Sequence, residues 1–186
     1  MSHSIHENIK LIRSEIGNTE LVVVSKYKSL SELQEVYDSG HRHFGENRVR
    51  ELLDKYTTLP KDIKWHVIGH LQTNKVKYIA HFAHLIHSVD SLKLLKTINK
   101  EAERAGRVIP FLFQLHIAEE DSKYGLAVTE LKNIISSEEY RVLKHVKCRG
   151  LMGMATNTKN EQQVADEFDA LKSLYDVYAL QQGFDT

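Results

Sequence analysis

Residues 21–32, LVVVSKYKSLSE, join a short apolar run to the start of a helix, and this junction decides between two folds. The β-branched run 21–25 is typical of a buried strand. Ser29 and Glu32 have the spacing of a helix capping box. A dinucleotide-binding sheet places a glycine-rich turn between its first strand and helix, whereas this stretch contains no glycine. The junction therefore favours a closed (β/α)8 barrel of the TIM type over an open doubly wound sheet.

The rest of the chain repeats the order of strand and helix. The β-type runs are 21–25, 41–45, 64–69, 84–90, 110–118 and 146–154. Apolar residues at helical spacing lie in 5–16, 30–40, 49–56, 92–106 and 164–178. Strict alternation predicts a parallel α/β sheet covered by helices. The uniform composition predicts one domain over residues 1–186.

Composition narrows the class of protein. Apolar residues make up 41% of the 186, which is enough for a sizeable core. Lys+Arg and Asp+Glu are both 25, so no basic excess points to nucleic acid or to an anionic membrane as a partner. Cys148 is the one cysteine, which excludes an internal disulfide and fits a reducing compartment. With no apolar run of membrane-spanning length and no secretory signal, we expect a cytoplasmic domain. We also expect a monomer.

Lys26 is the first candidate for chemistry. Alternation along the strand puts Val22, Val24 and Lys26 on one face. If that face points into the barrel, the amine lies partly buried at the barrel mouth, where loss of hydration makes it a better nucleophile towards carbonyls. The alternative is a lysine that merely ends a strand and extends to water.

Other polar residues also follow β-type runs, where barrel enzymes place their chemistry. His70 and Asp90 are two of them. In FGENRVRE (44–51), Asn47 can both donate and accept, which suits a phenolate oxygen or a carboxylate. Glu46 is expected to cap the following helix, because the helix dipole favours an anion there.

The histidines do not predict a metal site. His66 and His70 have the i, i+4 spacing of a helical zinc pair, but the VIG between them is β-like and the HExxH glutamate is absent. A functional site needs three or four preorganised ligands. Because His81, His84 and His87 lie nearby in the sequence, a histidine-based metal protein remains an alternative.

The sixth run contributes the last candidates. Met152 and Met154 lie on one face of it, where their thioethers could pack on an aromatic cofactor or fill the core. Cys148 on the same run is interpreted as a small buried hydrophobe.

Together, these segments resemble the pyridoxal 5′-phosphate (PLP) homeostasis protein family, which is related to the N-terminal barrel of alanine racemase. The matching stretches are VVVSKYKS, HFGENRVRE, IKWHVIGHLQTNK, IHSVDS, EEDSKYG and RGLMGMAT. They occur in the family's order and cover most of the chain from about residue 20 to residue 156.

The resemblance implies a (β/α)8 barrel that holds PLP as an aldimine of the lysine after strand one, here Lys26. It places Asn47 and Met152 near the cofactor ring. The resemblance also implies a role in buffering and delivering PLP, with PLP-dependent apoenzymes as expected partners and without an established turnover. One alternative is a PLP-dependent amino-acid racemase or lyase, and racemisation needs a second acid/base such as a tyrosine. A cofactor-free lysine aldolase is another.

The chain departs from the family's pattern at its end. The family continues with a seventh strand carrying an SMGMS-type segment and an eighth carrying a VRIG-type segment, which the resemblance assigns to the phosphate and the pyridine nitrogen. This chain stops at GFDT, before either segment. We therefore expect a truncated barrel with two unpaired sheet edges, weak PLP binding and poor solubility.

Overall fold

The computed structural model describes residues 4–120 and 124–182, with side chains described up to residue 179. The strands in these ranges are β1 (Val23–Val24), β2 (His43–Glu46), β3 (Lys64–Val67), β4 (Leu85–Val89), β5 (Ile109–Leu115) and β6 (Val146–Gly153). The α-helices are α1 (Ile5–Ile16), α2 (Leu30–Asp38), α3 (Val49–Thr58), α4 (Val76–Ile79), α5 (Leu92–Arg104), α6 (Val128–Ser136), α7 (Glu138–Arg141) and α8 (Glu161–Gln182). No helix in the described part of the chain is both long enough and apolar enough to span a bilayer.

The strands form one sheet in which each strand lies beside the next in chain order. Every pairing is parallel, from Val23 opposite Phe44 through to Leu115 opposite Gly153. Sequential parallel strands with intervening helices are the arrangement of a (β/α)8 barrel. The prediction of a barrel-type parallel sheet is confirmed, with six strands present. In the described residues, β1 pairs only with β2 and β6 only with β5, so both are edges.

The outer face of the sheet packs against the helices. Phe44, Trp65, Ile86 and Phe111 are fully buried on successive strands. The helices contribute the apolar stripes that the sequence predicts, among them the buried Leu33, Leu52, Leu95 and Ile98. Burial of large apolar side chains on both layers supplies the main driving force for folding, about 1.5–3 kcal/mol for each.

The inner face, which a closed barrel would enclose, carries the alternate residues. A Cβ on Gly45 would lie 3.2 Å from Cγ1 of Val22 and 3.0 Å from Cδ1 of Ile68, so these three positions share one face. Val22 therefore lies on the inner face, with Gly45 and Ile68. Two residues before Gly45 and Ile68, His43 and His66 point to the same side.

The predicted capping box of α2 is present. Ser29 Oγ accepts a hydrogen bond from the Glu32 amide at 3.2 Å, and the Ser29 amide donates to the Glu32 carboxylate at 2.8 Å. Sequence reasoning missed α6, although Leu131, Ile134 and Ile135 are buried at helical spacing. It also missed the short helices α4 and α7.

Candidate functional site

The polar candidates gather at one edge of the sheet. Lys26 follows β1, Asn47 follows β2, and His70 and Asp90 follow β3 and β4. Because parallel strands all finish at the same end of the sheet, these residues form one rim there, called here the C-terminal rim. Part of the EEDSKYG segment, residues 121–123, lies outside the described residues.

Lys26 is exposed rather than partly buried as expected. The reason is that β1 is an edge strand of the described sheet, so that even Val24 on the same face is 48% exposed. Within residues 4–120 and 124–179, the Lys26 ammonium makes no hydrogen bond or ion pair. Its amine is therefore accessible to a carbonyl compound.

The residue before Lys26 is fixed by an unusual number of contacts. Ser25 is 1% exposed, and its amide donates to the Gly45 carbonyl at 2.9 Å. Its hydroxyl donates to Glu46 Oε1 at 2.7 Å. Its carbonyl accepts from the Lys28 amide at 3.1 Å and from Lys55 Nζ at 2.7 Å. The amide, the carbonyl and the side chain of Ser25 are thus all hydrogen-bonded, which fixes the backbone next to Lys26.

A buried ion pair underlies this network. Lys55 Nζ contacts Glu46 Oε1, and the two side chains are 8% and 0% exposed. The interpretation of Glu46 as a helix cap is wrong, because α3 begins at Val49 after Arg48 with no side-chain cap. A buried carboxylate needs a compensating cation, and Lys55 of the following helix, α3, supplies it. Lys55 was missed, although its position three residues after Leu52 on the buried side of α3 was a signal.

The residue after Lys26 has a strained backbone. Tyr27 has φ of 62°, in the left-handed region that non-glycine residues rarely adopt. Its amide donates to Glu51 Oε2 at 3.3 Å, and the Arg48 guanidinium lies 5.5 Å from its ring centroid. Strain of this kind persists where surrounding contacts determine the conformation, and it concentrates at functional sites. Lys26 therefore lies between Ser25, which is fixed by hydrogen bonds, and Tyr27, whose backbone is strained.

Asn47 lies where two loops of the rim meet. A Cβ on Gly69 would lie 2.6 Å from the Asn47 carbonyl oxygen, so only glycine allows this approach. Asn47 also lines a cleft of about 460 Å³. The cleft lining contains three cationic side chains and no carboxylate; the lining residues are Asn47, Arg48, Val49, Arg50, Leu53, His70, Gln72, Lys75 and Tyr78. The cleft is therefore suited to an anion.

His70 connects this cleft to the far part of the rim. Its Nδ1 lies 3.0 Å from Asp90 Oδ2, and its ring stacks on Tyr124 with centroids 4.3 Å apart. The Tyr124 carbonyl accepts from Gln114 Nε2 at 2.9 Å. His70 is thus separated from His66, which lies within β3, and the i, i+4 pair does not form a site.

Met152 lies within β6, half-buried and in register with Gln114 of β5. Met154 follows the end of the strand and is 43% exposed. Burial raises the pKa of the Cys148 thiol to about 12, so the thiol stays protonated near neutral pH. This agrees with its interpretation as a packing residue.

Comparison with known proteins identifies the family. Residues 2–185 match the family "Alanine racemase, N-terminal domain". The chain is 33% identical to the pyridoxal phosphate homeostasis protein of Schizosaccharomyces pombe over 166 residues, covering 85% of this chain and 69% of that protein. It is 37% identical to the protein of the same name from Aquifex aeolicus over 159 residues, covering 84% and 68%.

Solved structures agree with the sequence relatives. The structure of PipY from Synechococcus elongatus with PLP bound has a TM-score of 0.85 at 29% identity, covering 96% of this chain and 83% of that one. Alanine racemase from Bartonella henselae has a TM-score of 0.71 at 14% identity, covering 91% and 49%, which is a likeness of fold. By its sequence, its fold and its relatives, the chain belongs to the pyridoxal phosphate homeostasis protein family, within the wider group that shares the alanine racemase N-terminal domain.

Proposed function

We propose that this chain binds PLP covalently through Lys26 and acts as a PLP carrier in cytoplasmic PLP homeostasis. The observation that carries the proposal is the setting of Lys26, an accessible amine whose preceding residue is fixed by five hydrogen bonds at the C-terminal rim. A relative of similar fold, PipY, has been solved with PLP bound. PLP would supply one piece of chemistry, an aldehyde carbon that condenses reversibly with amines.

The residues at the rim fit this group in charge and hydrogen bonding. Lys26 provides the amine, and the Ser25 network holds that amine in one place. Asn47 and Met152 are proposed to contact the ring. The cleft lined by Arg48, Arg50 and Lys75 is proposed to attract the phosphate dianion as PLP arrives.

We propose a carrier rather than an enzyme. Racemisation requires a second acid/base on the opposite face of the ring from the lysine. The relatives named above are homeostasis proteins, whose names describe supply of PLP rather than turnover of an amino acid. PLP-dependent apoenzymes are the proposed recipients, and the proposed working form is a monomer.

Borohydride reduction of the PLP-incubated chain, followed by peptide mass mapping, tests the site. The expected result is one phosphopyridoxyl adduct, on Lys26, that is lost in Lys26→Ala. Lys28→Ala is the matched control, because Lys28 is exposed two residues away and pairs with Glu32 at 3.0 Å. Adducts spread over several lysines, or an adduct that survives Lys26→Ala, would refute the assignment.

Exchange of the α-proton of an added amino acid separates the carrier from a racemase or lyase. The PLP-loaded chain in deuterated water should leave alanine protonated over hours. Incorporation of deuterium that depends on Lys26 would instead establish an enzyme.

A further inference from the structure

The side chains of three histidines meet near the amino-terminal ends of three neighbouring strands. His43 is the first residue of β2, His66 lies in β3, and His84 directly precedes β4. One ring nitrogen from each lies within 4.8 Å of the others. Register brings His43 and His66 to one face, since Gly45 pairs with His66. The ring centroid of His84, just before β4, lies 5.4 Å from that of His43 and 5.2 Å from that of His66. The group lies towards the amino-terminal ends of the strands, away from the C-terminal rim.

The surroundings orient two of these imidazoles. Nδ1 of His43 and Nε2 of His66 lie 2.9 Å apart. The outward nitrogen of His43, Nε2, lies 3.4 Å from a carboxylate oxygen of Glu20. The outward nitrogen of His66, Nδ1, lies 2.8 Å from Nε2 of His87. His43 Nδ1 and His66 Nε2 therefore face each other, while the second nitrogen of each ring contacts Glu20 or His87. A contact of this kind to the second ring nitrogen commonly orients metal-binding histidines.

We propose that His43, His66 and His84 bind one divalent transition-metal ion, with Zn²⁺ as the favoured ion. Imidazole nitrogens suit zinc, copper and nickel, whereas calcium and magnesium require oxygen ligands. Three histidines leave a fourth position for water, as in open tetrahedral zinc sites. The site is independent of the proposed function, because it lies at the other end of the strands from Lys26.

The required movement is small. Nitrogens that share a tetrahedral zinc at 2.0–2.1 Å lie about 3.3 Å apart. The widest separation in the group must therefore shorten by at most about 1.5 Å, and the His43 to His66 distance must open slightly. His43 is 9% exposed and His66 is 3% exposed, so a bound ion would be largely shielded from solvent.

Charge is consistent with ligation. Burial, aided by neighbouring histidines, lowers the pKa of His66 to about 3, and burial also lowers the pKa of His43 and His84. A metal binds the lone pair of a neutral imidazole nitrogen, so the proton shared by His43 Nδ1 and His66 Nε2 would move to an outer ring nitrogen. A bound cation would also link three adjacent strands through side chains.

The test uses the full chain without a polyhistidine tag, stripped with a chelator and free of PLP. Co²⁺ is titrated first, because its visible absorption reports four-coordinate geometry, and Zn²⁺ is then used to displace it. The expected result is one ion per chain, intense tetrahedral Co²⁺ bands, full displacement by Zn²⁺ and a thermal midpoint that rises with Zn²⁺. A chain that binds neither ion stoichiometrically would overturn the proposal.

Variants locate the ion. His84→Gln, at a half-buried position outside the strands, should fold and bind at least about tenfold more weakly, and His66→Gln should abolish binding. His6→Gln, at an exposed position of α1, is the matched control and should bind as the unmodified chain does. Unchanged affinity in His84→Gln would overturn the proposal even if His66→Gln does not fold.

Discussion

Nζ of Lys55 lies 2.7 Å from the carbonyl oxygen of Ser25, across thirty residues of sequence. The same ammonium contacts Glu46, whose carboxylate accepts from the Ser25 hydroxyl. Helix α3, strand β2 and the end of β1 are therefore joined through three side chains. Because Ser25 directly precedes Lys26, this buried network fixes the backbone from which the Lys26 side chain extends.

Removing the cation of this network should be costly. Lys55→Met leaves Glu46 buried without its partner, and we expect a loss of about 3–5 kcal/mol in the free energy of unfolding. The double variant Lys55→Met with Glu46→Met should recover most of that loss, since no charge then remains buried. Urea denaturation measures both.

The same double variant separates stability from positioning. Lys26 of this variant should label poorly with PLP and borohydride, because the Ser25 carbonyl has lost Lys55 and the Ser25 hydroxyl has lost Glu46. Lys96→Met breaks an exposed pair with Glu139 at 3.0 Å and should change neither property appreciably. Full labelling of the double variant would contradict the positioning role.

Gly69→Ala should disturb the rim at Asn47. The added methyl would meet backbone atoms of Asn47 at 2.6 and 2.7 Å, and backbone cannot move aside as a flexible side chain can. We expect the free energy of unfolding to fall by about 1–3 kcal/mol and PLP binding to weaken. Gly17→Ala is the control, because Gly17 has φ of 60° but open space around it. Gly17→Ala should lower the free energy of unfolding by about 1–2 kcal/mol and leave PLP binding unchanged.

Stability should fall below neutral pH because of the buried histidines. The pKa of His66 is lowered to about 3, and burial lowers that of His87 to about 4. In the unfolded chain both take up protons near pH 6.5, whereas the folded chain does not. Protons therefore favour unfolding as the pH falls from about 6.5 towards 4, by up to about 1.4 kcal/mol per pH unit for each histidine.

Urea denaturation of the metal-free chain at about pH 7, 6 and 5 checks this slope, in a range above most carboxylate titrations. His66→Gln should flatten it, and His6→Gln should leave it unchanged. An equal slope in His66→Gln would show that other groups cause the pH dependence.

The cationic cleft should influence how fast PLP arrives. Lys75→Gln removes one of the three cations that line it, and we expect labelling at Lys26 to slow by roughly twofold or more at low salt. High salt should abolish the difference, because screening weakens attraction between exposed charges. Lys77→Gln, next to the cleft but outside its lining, should label at the unmodified rate. Equal rates for both variants at low salt would exclude steering by this cleft.

Local patterns predicted the elements that depend on neighbours in the chain. Each of the six β-type runs contains a strand, and the strand ends agree to within a few residues. The helix predicted over 5–16 and the capping box of α2 are present for the same reason. Short strand-to-helix junctions also placed Lys26 at the C-terminal rim, because parallel strands share one direction.

Contacts between distant residues were beyond such patterns. Glu46 was interpreted as a cap because a helix begins shortly after it. Its partner is instead Lys55, in the second turn of that helix, whose side chain is buried. Partial burial of Lys26 was inferred from alternation alone. Alternation gives the face of a strand but not whether another strand lies over or beside it, and here β1 is an edge.

The sequence by itself determined the alternating parallel architecture, the family and the position of Lys26 along the chain. These follow from periodicity, capping and ordered motifs, which are properties of consecutive residues. Only the tertiary structure decided that Lys55 compensates Glu46 and that the side chains of His43, His66 and His84 meet. Those relations depend on the register between strands and on the packing of a helix against them, which are fixed by burial of the whole core.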